Sequence, residues 1–449
     1  MKQQMNDSTL KNVILKIPES FFHKAAFIIL MAFILLMPLS MCGLVLFAFN
    51  IHGFAITTVG VAAELLIGLY VLYEIYSGRL SKLKDLFKFR VWDLCFLALL
   101  LWSGISTVLA DDLELAIMGT GYRGEGYTMY FVYASIYVCG RLVPWEKTYK
   151  KLMIAYAVSV SLLSLMTVVQ YNPWLQSALG TIGHNFVILE IQCMKYSAIF
   201  HQINHYGYIL NMAILCLAGL FLISTGWKKY IYAVLFCFNI WALIINDTFG
   251  CYLASIIGLI FLVILFIIRD RKCVRQAVVL IVLFISVSCV TSLNNDGILG
   301  TNFFVLGTEI APSNNLFENN GAGTGRMALW KHAVKYIQEK PIFGHGPEGL
   351  YYKYRNDGIW TDRPHNEYLQ YAAFTGIPSV FIYLGALISM LVYCLKNLKK
   401  LPQELVVIGG IIFAYCTSAF FGNTMYYTSI YFFMFIGLLS TCHLKCSES

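Results

Sequence analysis

Apolar runs of about 20 residues, each followed by a short polar segment, recur from one end of the chain to the other. A run of that length crosses a bilayer as an α-helix, because each residue adds about 1.5 Å along the axis. The first run is too long for a cleavable signal and continues past Pro38. The pattern predicts about twelve spans, at residues 25–48, 54–77, 91–110, 124–142, 152–170, 204–224, 230–247, 249–268, 275–293, 373–395, 404–421 and 425–442.

Composition supports a membrane class over a soluble one. Hydrophobic residues make up 59% of the chain and charged residues only 12%, whereas a soluble domain has about 25% charged residues. We therefore predict an all-α polytopic membrane protein that forms one membrane domain over residues 1–449.

Lysine and arginine cluster in every second connection between the predicted spans. Because cytoplasmic loops are enriched in these residues, both termini are predicted to be cytoplasmic, in a multi-pass protein of the cytoplasmic (inner) membrane. The net charge of +8 is then a topology signal, and no nucleic-acid partner is expected. The basic segments are the N-terminal tail, 78–90, 141–151, 228–229, 269–275 and 396–400.

The largest polar segment, residues 294–372, lies between the ninth and tenth spans and is predicted to be a helical extracytoplasmic loop. Apolar residues spaced by three and four predict a helix that begins at Arg326 and ends at Pro341. A guanidinium beside free backbone N–H groups is a typical phosphate site. A second short helix is predicted over 365–374, which would place His365 at the membrane face.

The motifs of this segment together resemble the O-antigen ligase and polymerase superfamily, polytopic membrane glycosyltransferases that use lipid-linked glycans. They are Gly325-Arg326, then Pro341 to Gly346 with its Gly-His-Gly turn, then His365-Asn366, then Gly376 at the start of a span. Two shorter matches are Tyr122 to Gly126 and Ala198 to His205. The chain departs from the family in having Asp247-Thr248-Phe249-Gly250, without arginine, where members often have Ser-Arg-Gly.

The resemblance implies a donor glycan on undecaprenyl pyrophosphate and a glycan or lipid acceptor at the outer face of the membrane. His365, Arg326 and Arg123 are the expected catalytic residues, with His365 as general base and the arginines on the pyrophosphate. Expected substrate-binding residues are Arg363, Asn366, His345, His201 and Asn204. No cofactor and no metal are expected.

Three function classes remain open from the sequence. The first is a ligase that moves a glycan to an acceptor, or a polymerase that extends it. The second is a polysaccharide or lipid transporter, although clear matching halves are absent. The third is a different transferase whose base is a carboxylate of the first outer loop, at Asp111, Asp112 or Glu114. The first class requires Arg123, Arg326 and His365 to converge.

Overall fold

The computed structural model describes residues 11–39, 51–79, 90–120, 123–175, 196–198, 200, 202–311 and 318–442, and every regular element in these ranges is helical. In chain order the helices are α1 (Glu19–Leu39), α2 (Ile51–Tyr76), α3 (Val91–Val108), α4 (Leu113–Met118), α5 (Tyr127–Leu142), α6 (Trp145–Tyr171), α7 (Ile203–Ile223), α8 (Lys228–Asn246), α9 (Phe249–Arg269), α10 (Val274–Leu293), α11 (Ile298–Glu309), α12 (Arg326–Glu339), α13 (Leu350–Asn356), α14 (Glu367–Thr375), α15 (Ile377–Lys396), α16 (Gln403–Ser418) and α17 (Tyr426–Leu439).

Each of the twelve predicted spans corresponds to a helix, and ten of the described helices are long and apolar enough to cross a membrane. The two others, α5 and α17, have 16 and 14 residues, about 24 and 21 Å of helix. The all-helical polytopic fold is confirmed, whereas the count of twelve spans and the side on which each loop lies stay predictions.

Two helix starts differ from the sequence prediction. The first helix begins at Glu19, six residues before the predicted span, because its first six residues mix Phe21 and Phe22 with polar and charged residues and only its later turns are uniformly apolar. The helix predicted over 365–374 begins at Glu367. Asn366 is its N-cap and accepts a hydrogen bond from the Leu369 N–H at 3.0 Å, which is the usual role of asparagine at that position. His365 therefore precedes the helix.

Helix α7 is the centre of the bundle. Nearly all of its residues are buried, and it packs against α6, α8, α9 and α16. Small residues allow close approach, as at Gly219, where an added Cβ would lie 2.2 Å from a methyl group of Val407. The first turn of α7 is thereby held in the middle of one end of the bundle.

The segment between α10 and α15 contains four short helices. Tyr336 of α12, Leu350 and Tyr354 of α13, and Phe374 of α14 form a small hydrophobic cluster separate from the main core. This cluster fixes α12, α13 and α14 to one another at the end of the bundle where α15 begins. We call residues 318–375 the cap.

Candidate functional site

The functional candidates lie where several helices begin. Arg123 precedes α5, Gln202 and Asn204 stand at the start of α7, His365 precedes α14, and Asn423 precedes α17. Each helix start carries unpaired N–H groups and a partial positive charge. The structure therefore brings together residues from four distant parts of the chain at one electropositive end of the bundle.

His365 is surrounded by amides. Its Nδ1 lies 3.1 Å from Nε2 of Gln202 and 3.5 Å from the Nδ2 atoms of Asn204 and Asn423. Its backbone φ is +52°, a left-handed conformation that costs a non-glycine residue of order 1 kcal/mol and is concentrated at functional sites. The strained backbone turns the ring toward α7 and α17 instead of continuing α14.

Arg326 is the first residue of α12, as predicted, and follows Gly325 at φ +86°. Its guanidinium donates to the Gly323 carbonyl at 3.1 Å, to Thr324 Oγ1 at 3.0 Å and to Asn204 Oδ1 at 3.4 Å. Asn204 thus connects Arg326 to His365.

Among the residues that the structure describes, no carboxylate forms an ion pair with Arg326, and its Nε has no hydrogen-bond partner. Burial accordingly lowers the pKa of Arg326 below its ordinary value. A half-buried guanidinium that lacks an anionic partner is costly in the empty site and fits an anionic ligand.

Arg123 has a different environment. Asp362 forms an ion pair with its Nε and accepts from its Nη2 at 2.8 Å. Burial alone would raise the pKa of Asp362, but Arg123 and Arg363 lower it below its ordinary value, so the carboxylate stays charged. Arg123 is therefore neutralised in this state by Asp362, which lies one residue before Arg363 and three residues before His365 in the sequence.

Arg363 was expected to bind substrate, and the structure gives its guanidinium other partners. It is 1% exposed and donates to Glu125 and Glu348, each at 2.6 Å. It also donates to the Thr424 carbonyl, and Glu348 accepts from the Thr120 N–H at 2.5 Å. Arg363 is thus enclosed by the loops that precede α5, α13 and α17 and connects them.

His345 lies apart from this cluster. The Gly-His-Gly turn donates the N–H groups of His345 and Gly346 to the last carbonyls of α14, at 2.9 and 2.8 Å. An added Cβ on Gly344 would lie 2.4 Å from the Phe374 oxygen, which is why glycine stands there. The His345 ring is buried, with Nε2 2.9 Å from the Tyr336 carbonyl. The turn caps α14.

The other residues predicted from the sequence also differ in whether they lie at this cluster or have structural partners elsewhere. Asn366 caps α14 and its amide donates to the Phe420 carbonyl at 3.3 Å, while Asn204 contacts both Arg326 and His365. His201 lies outside the described residues. In the first loop, Asp111 is 70% exposed and pairs with Lys340 at 2.5 Å, and Asp112 caps α4 by accepting from the Leu115 N–H at 2.9 Å. Asp111 and Asp112 thus have structural partners.

Several polar residues at the site were not predicted. Gln202, His205 and Asn423 lie in the cluster, and Gln202 Oε1, Asn423 Oδ1 and both His205 ring nitrogens are buried without a partner in the described part of the chain. Buried polar atoms are normally paired. The only signal for Asn423 in the sequence is the polar pair Asn423-Thr424 just before an apolar run.

The electrostatics of His365 follow from these neighbours. Burial, Arg326 and Arg123 together lower the pKa of His365 to about 3, and only Asp362 opposes them. The imidazole is therefore neutral near pH 7 and has a lone pair for a hydroxyl proton. In the described ranges, no group of three or more His, Cys, Asp or Glu side chains is arranged to hold a metal ion.

Comparison with known proteins is consistent with this site. Residues 231–384 match the family model described as O-antigen ligase, and the match includes α12, the Gly-His-Gly turn and His365-Asn366. The resemblance to the O-antigen ligase and polymerase superfamily is thereby confirmed. No curated protein matches the chain. The family supports a ligase- or polymerase-type function in general terms.

Proposed function

We propose that the protein transfers a glycan from undecaprenyl pyrophosphate to an acceptor hydroxyl at the outer face of the cytoplasmic membrane, as an O-antigen ligase-like enzyme. The observation that carries the proposal is the arrangement around His365. A neutral imidazole and the guanidinium of Arg326, which has no carboxylate partner in the described residues, share one amide neighbour, Asn204. Such a site has a proton acceptor and an anion-binding group side by side.

Arg326 is the proposed ligand of the donor diphosphate. Its guanidinium supplies two parallel donors and is joined by the N–H groups of the first turn of α12. Arg123 is the second proposed ligand, and it becomes available when the diphosphate replaces Asp362. These arginines neutralise the leaving group, and we therefore expect transfer to be independent of added metal.

His365 is the proposed general base. The acceptor oxygen attacks the anomeric carbon, the bond from that carbon to the pyrophosphate oxygen breaks, and His365 takes the hydroxyl proton. Undecaprenyl pyrophosphate leaves with the bonding electrons. A base with a pKa of about 3 is weak in the empty site. The negative charge of a bound diphosphate offsets both arginines and raises the pKa of His365 toward the useful range.

An apolar groove supports a donor with a long lipid tail. It has a volume of about 710 Å³ and is lined by α9, α10 and α11, including Ile260, Ile285 and Phe303. Helix α11 continues toward the site, because its last residue, Glu309, accepts from the Gly323 N–H at 3.0 Å, three residues before Arg326. A polyprenyl chain in this groove would place its diphosphate near Arg326.

Analysis of the surface polysaccharide in a deletion strain tests the proposal. Loss of glycan attachment, with long chains retained on the lipid, is the result expected for a ligase. Retention of single repeat units on the lipid would instead identify a polymerase of the same superfamily. Unchanged attachment and unchanged chain length would contradict both.

A further inference from the structure

The cap carries an unusually exposed aromatic side chain. Trp360 leaves 91% of its surface exposed, in the loop between α13 and His365. Large apolar side chains are seldom that exposed, and where several lie together they often mark a binding surface.

Three further residues complete this surface. The guanidinium carbon of Arg355 lies 4.2 Å from the ring centre of Tyr351 and 5.7 Å from that of Trp360. The rings of Tyr351 and Tyr352 are 5.0 Å apart at 81°, and Tyr352 is 53% exposed. Arg355 thus holds Tyr351 and Trp360 by cation–π contacts. We call Tyr351, Tyr352, Arg355 and Trp360 the aromatic platform.

The platform stands on a fixed support. On the opposite face of α13, Tyr354 is fully buried, packs on Tyr336 with ring centres 5.2 Å apart, and donates to the Leu329 carbonyl at 2.9 Å. The Ile359 N–H donates to the Tyr354 carbonyl at 2.8 Å and fixes the start of the loop. The platform is therefore preorganised, which lowers the entropic cost of binding.

The platform is also close to the proposed active site. Trp360 lies five positions before His365 in the sequence, which limits the distance between their Cα atoms to about 18 Å. Asp362 and Arg363, between them, are held by Arg123 and by Glu125 and Glu348. A short oligosaccharide spans that distance.

We propose that the aromatic platform binds the glycan chain of the substrate and guides it toward His365, an inference that rests on the proposed function. The apolar C–H faces of pyranose rings stack on aromatic rings, while Arg355, Asn356 and Asp357, all exposed, offer hydrogen bonds to the sugar hydroxyls. The same charges argue against burial of this face in lipid, since a membrane-facing surface would leave them without water.

A binding measurement on the purified protein in lipid nanodiscs tests the platform. The probe is the source strain's own glycan, released from its lipid by mild acid, titrated by microscale thermophoresis. Trp360→Ala and Tyr352→Ala should each weaken binding about tenfold, the effect of one lost stacking contact. The matched control is Trp174→Ala, since Trp174 is also strongly exposed, at 73%. This variant should bind like the wild type.

Two results would overturn the platform. One is equal glycan affinity in the wild type, Trp360→Ala and Tyr352→Ala. The other is quenching of tryptophan fluorescence by brominated lipids that is present in the wild type and lost in Trp360→Phe. That result would place Trp360 in the membrane interface.

His365→Ala separates this proposal from the proposed function. That variant should keep glycan affinity and lose transfer. If glycan binding depends on Trp360 but the wild-type protein transfers no glycan, the proposed transferase function is refuted and the platform proposal stands. If the wild-type protein transfers glycan but Trp360→Ala leaves the glycan affinity unchanged, only the platform proposal is refuted.

Discussion

Replacement of His365 is the sharpest test of the proposed chemistry. In the described part of the chain, the hydrogen-bond contacts of the ring are with the amides of Gln202, Asn204 and Asn423. Because Asn366 caps α14 independently, the fold should survive the change. Loss of a general base costs a factor of about 10² to 10⁴ in rate, or about 3 to 5 kcal/mol of transition-state stabilisation. We expect His365→Ala to abolish detectable transfer with normal expression and insertion.

The backbone at His365 defines a second variant. Asparagine tolerates a φ of +52° better than most residues, so His365→Asn keeps the backbone and an amide but removes the base. It should be as inactive as His365→Ala. The assay is single-turnover release of undecaprenyl pyrophosphate by the reconstituted protein, with donor in excess of its dissociation constant.

The pH dependence provides an independent check. Because the pKa of His365 in the empty site is lowered to about 3, acidification from pH 8 to pH 5.5 leaves the free imidazole neutral. The profile of kcat/KM should therefore show no acid limb near 6.5 in the wild type.

The control for His365→Ala is His345→Ala, which removes a buried ring bonded to the Tyr336 carbonyl and should affect transfer less. Near-normal transfer by His365→Ala together with loss in His345→Ala would refute the reasoning and assign the chemistry to the Gly-His-Gly turn.

Three further outcomes follow from the site. Arg326→Lys should lower kcat/KM about 10- to 100-fold, because one ammonium cannot replace a bidentate fork; unchanged kinetics would remove Arg326 from the donor site. Arg363→Ala should reduce the free energy of unfolding by about 3 to 5 kcal/mol, because it leaves Glu125 and Glu348 buried and unpaired; thermal denaturation in detergent measures this, and Arg355→Ala, at an exposed arginine, is the control. Transfer should persist in EDTA, and complete loss that magnesium or manganese restores would contradict neutralisation of the diphosphate by Arg326 and Arg123.

The sequence predicted the helices better than the contacts of individual polar residues. Apolar runs locate spans because a span must bury its backbone in lipid, whatever its neighbours are. The Arg326 helix was predicted from local spacing alone, and the structure begins it at that residue.

What the sequence could not supply is pairing between distant segments. Arg123, Arg326 and Arg363 look alike as arginines, yet Asp362 holds the first, no described carboxylate holds the second, and Glu125 and Glu348 enclose the third. The partners of Arg363 lie 238 and 15 residues away. No local sequence pattern specifies which arginine is left without a carboxylate partner among the described residues, because tertiary contacts decide it.

The convergence of helix starts has a consequence for biogenesis. Arg123 lies before α5, whereas Asn423 and Thr424 lie just before α17, about 300 residues later in synthesis. The Asn423 amide beside His365 and the Thr424 carbonyl that accepts from Arg363 are both missing until that segment has been made and inserted. A nascent chain in which Asn423 and Thr424 have not yet been inserted therefore has no complete site.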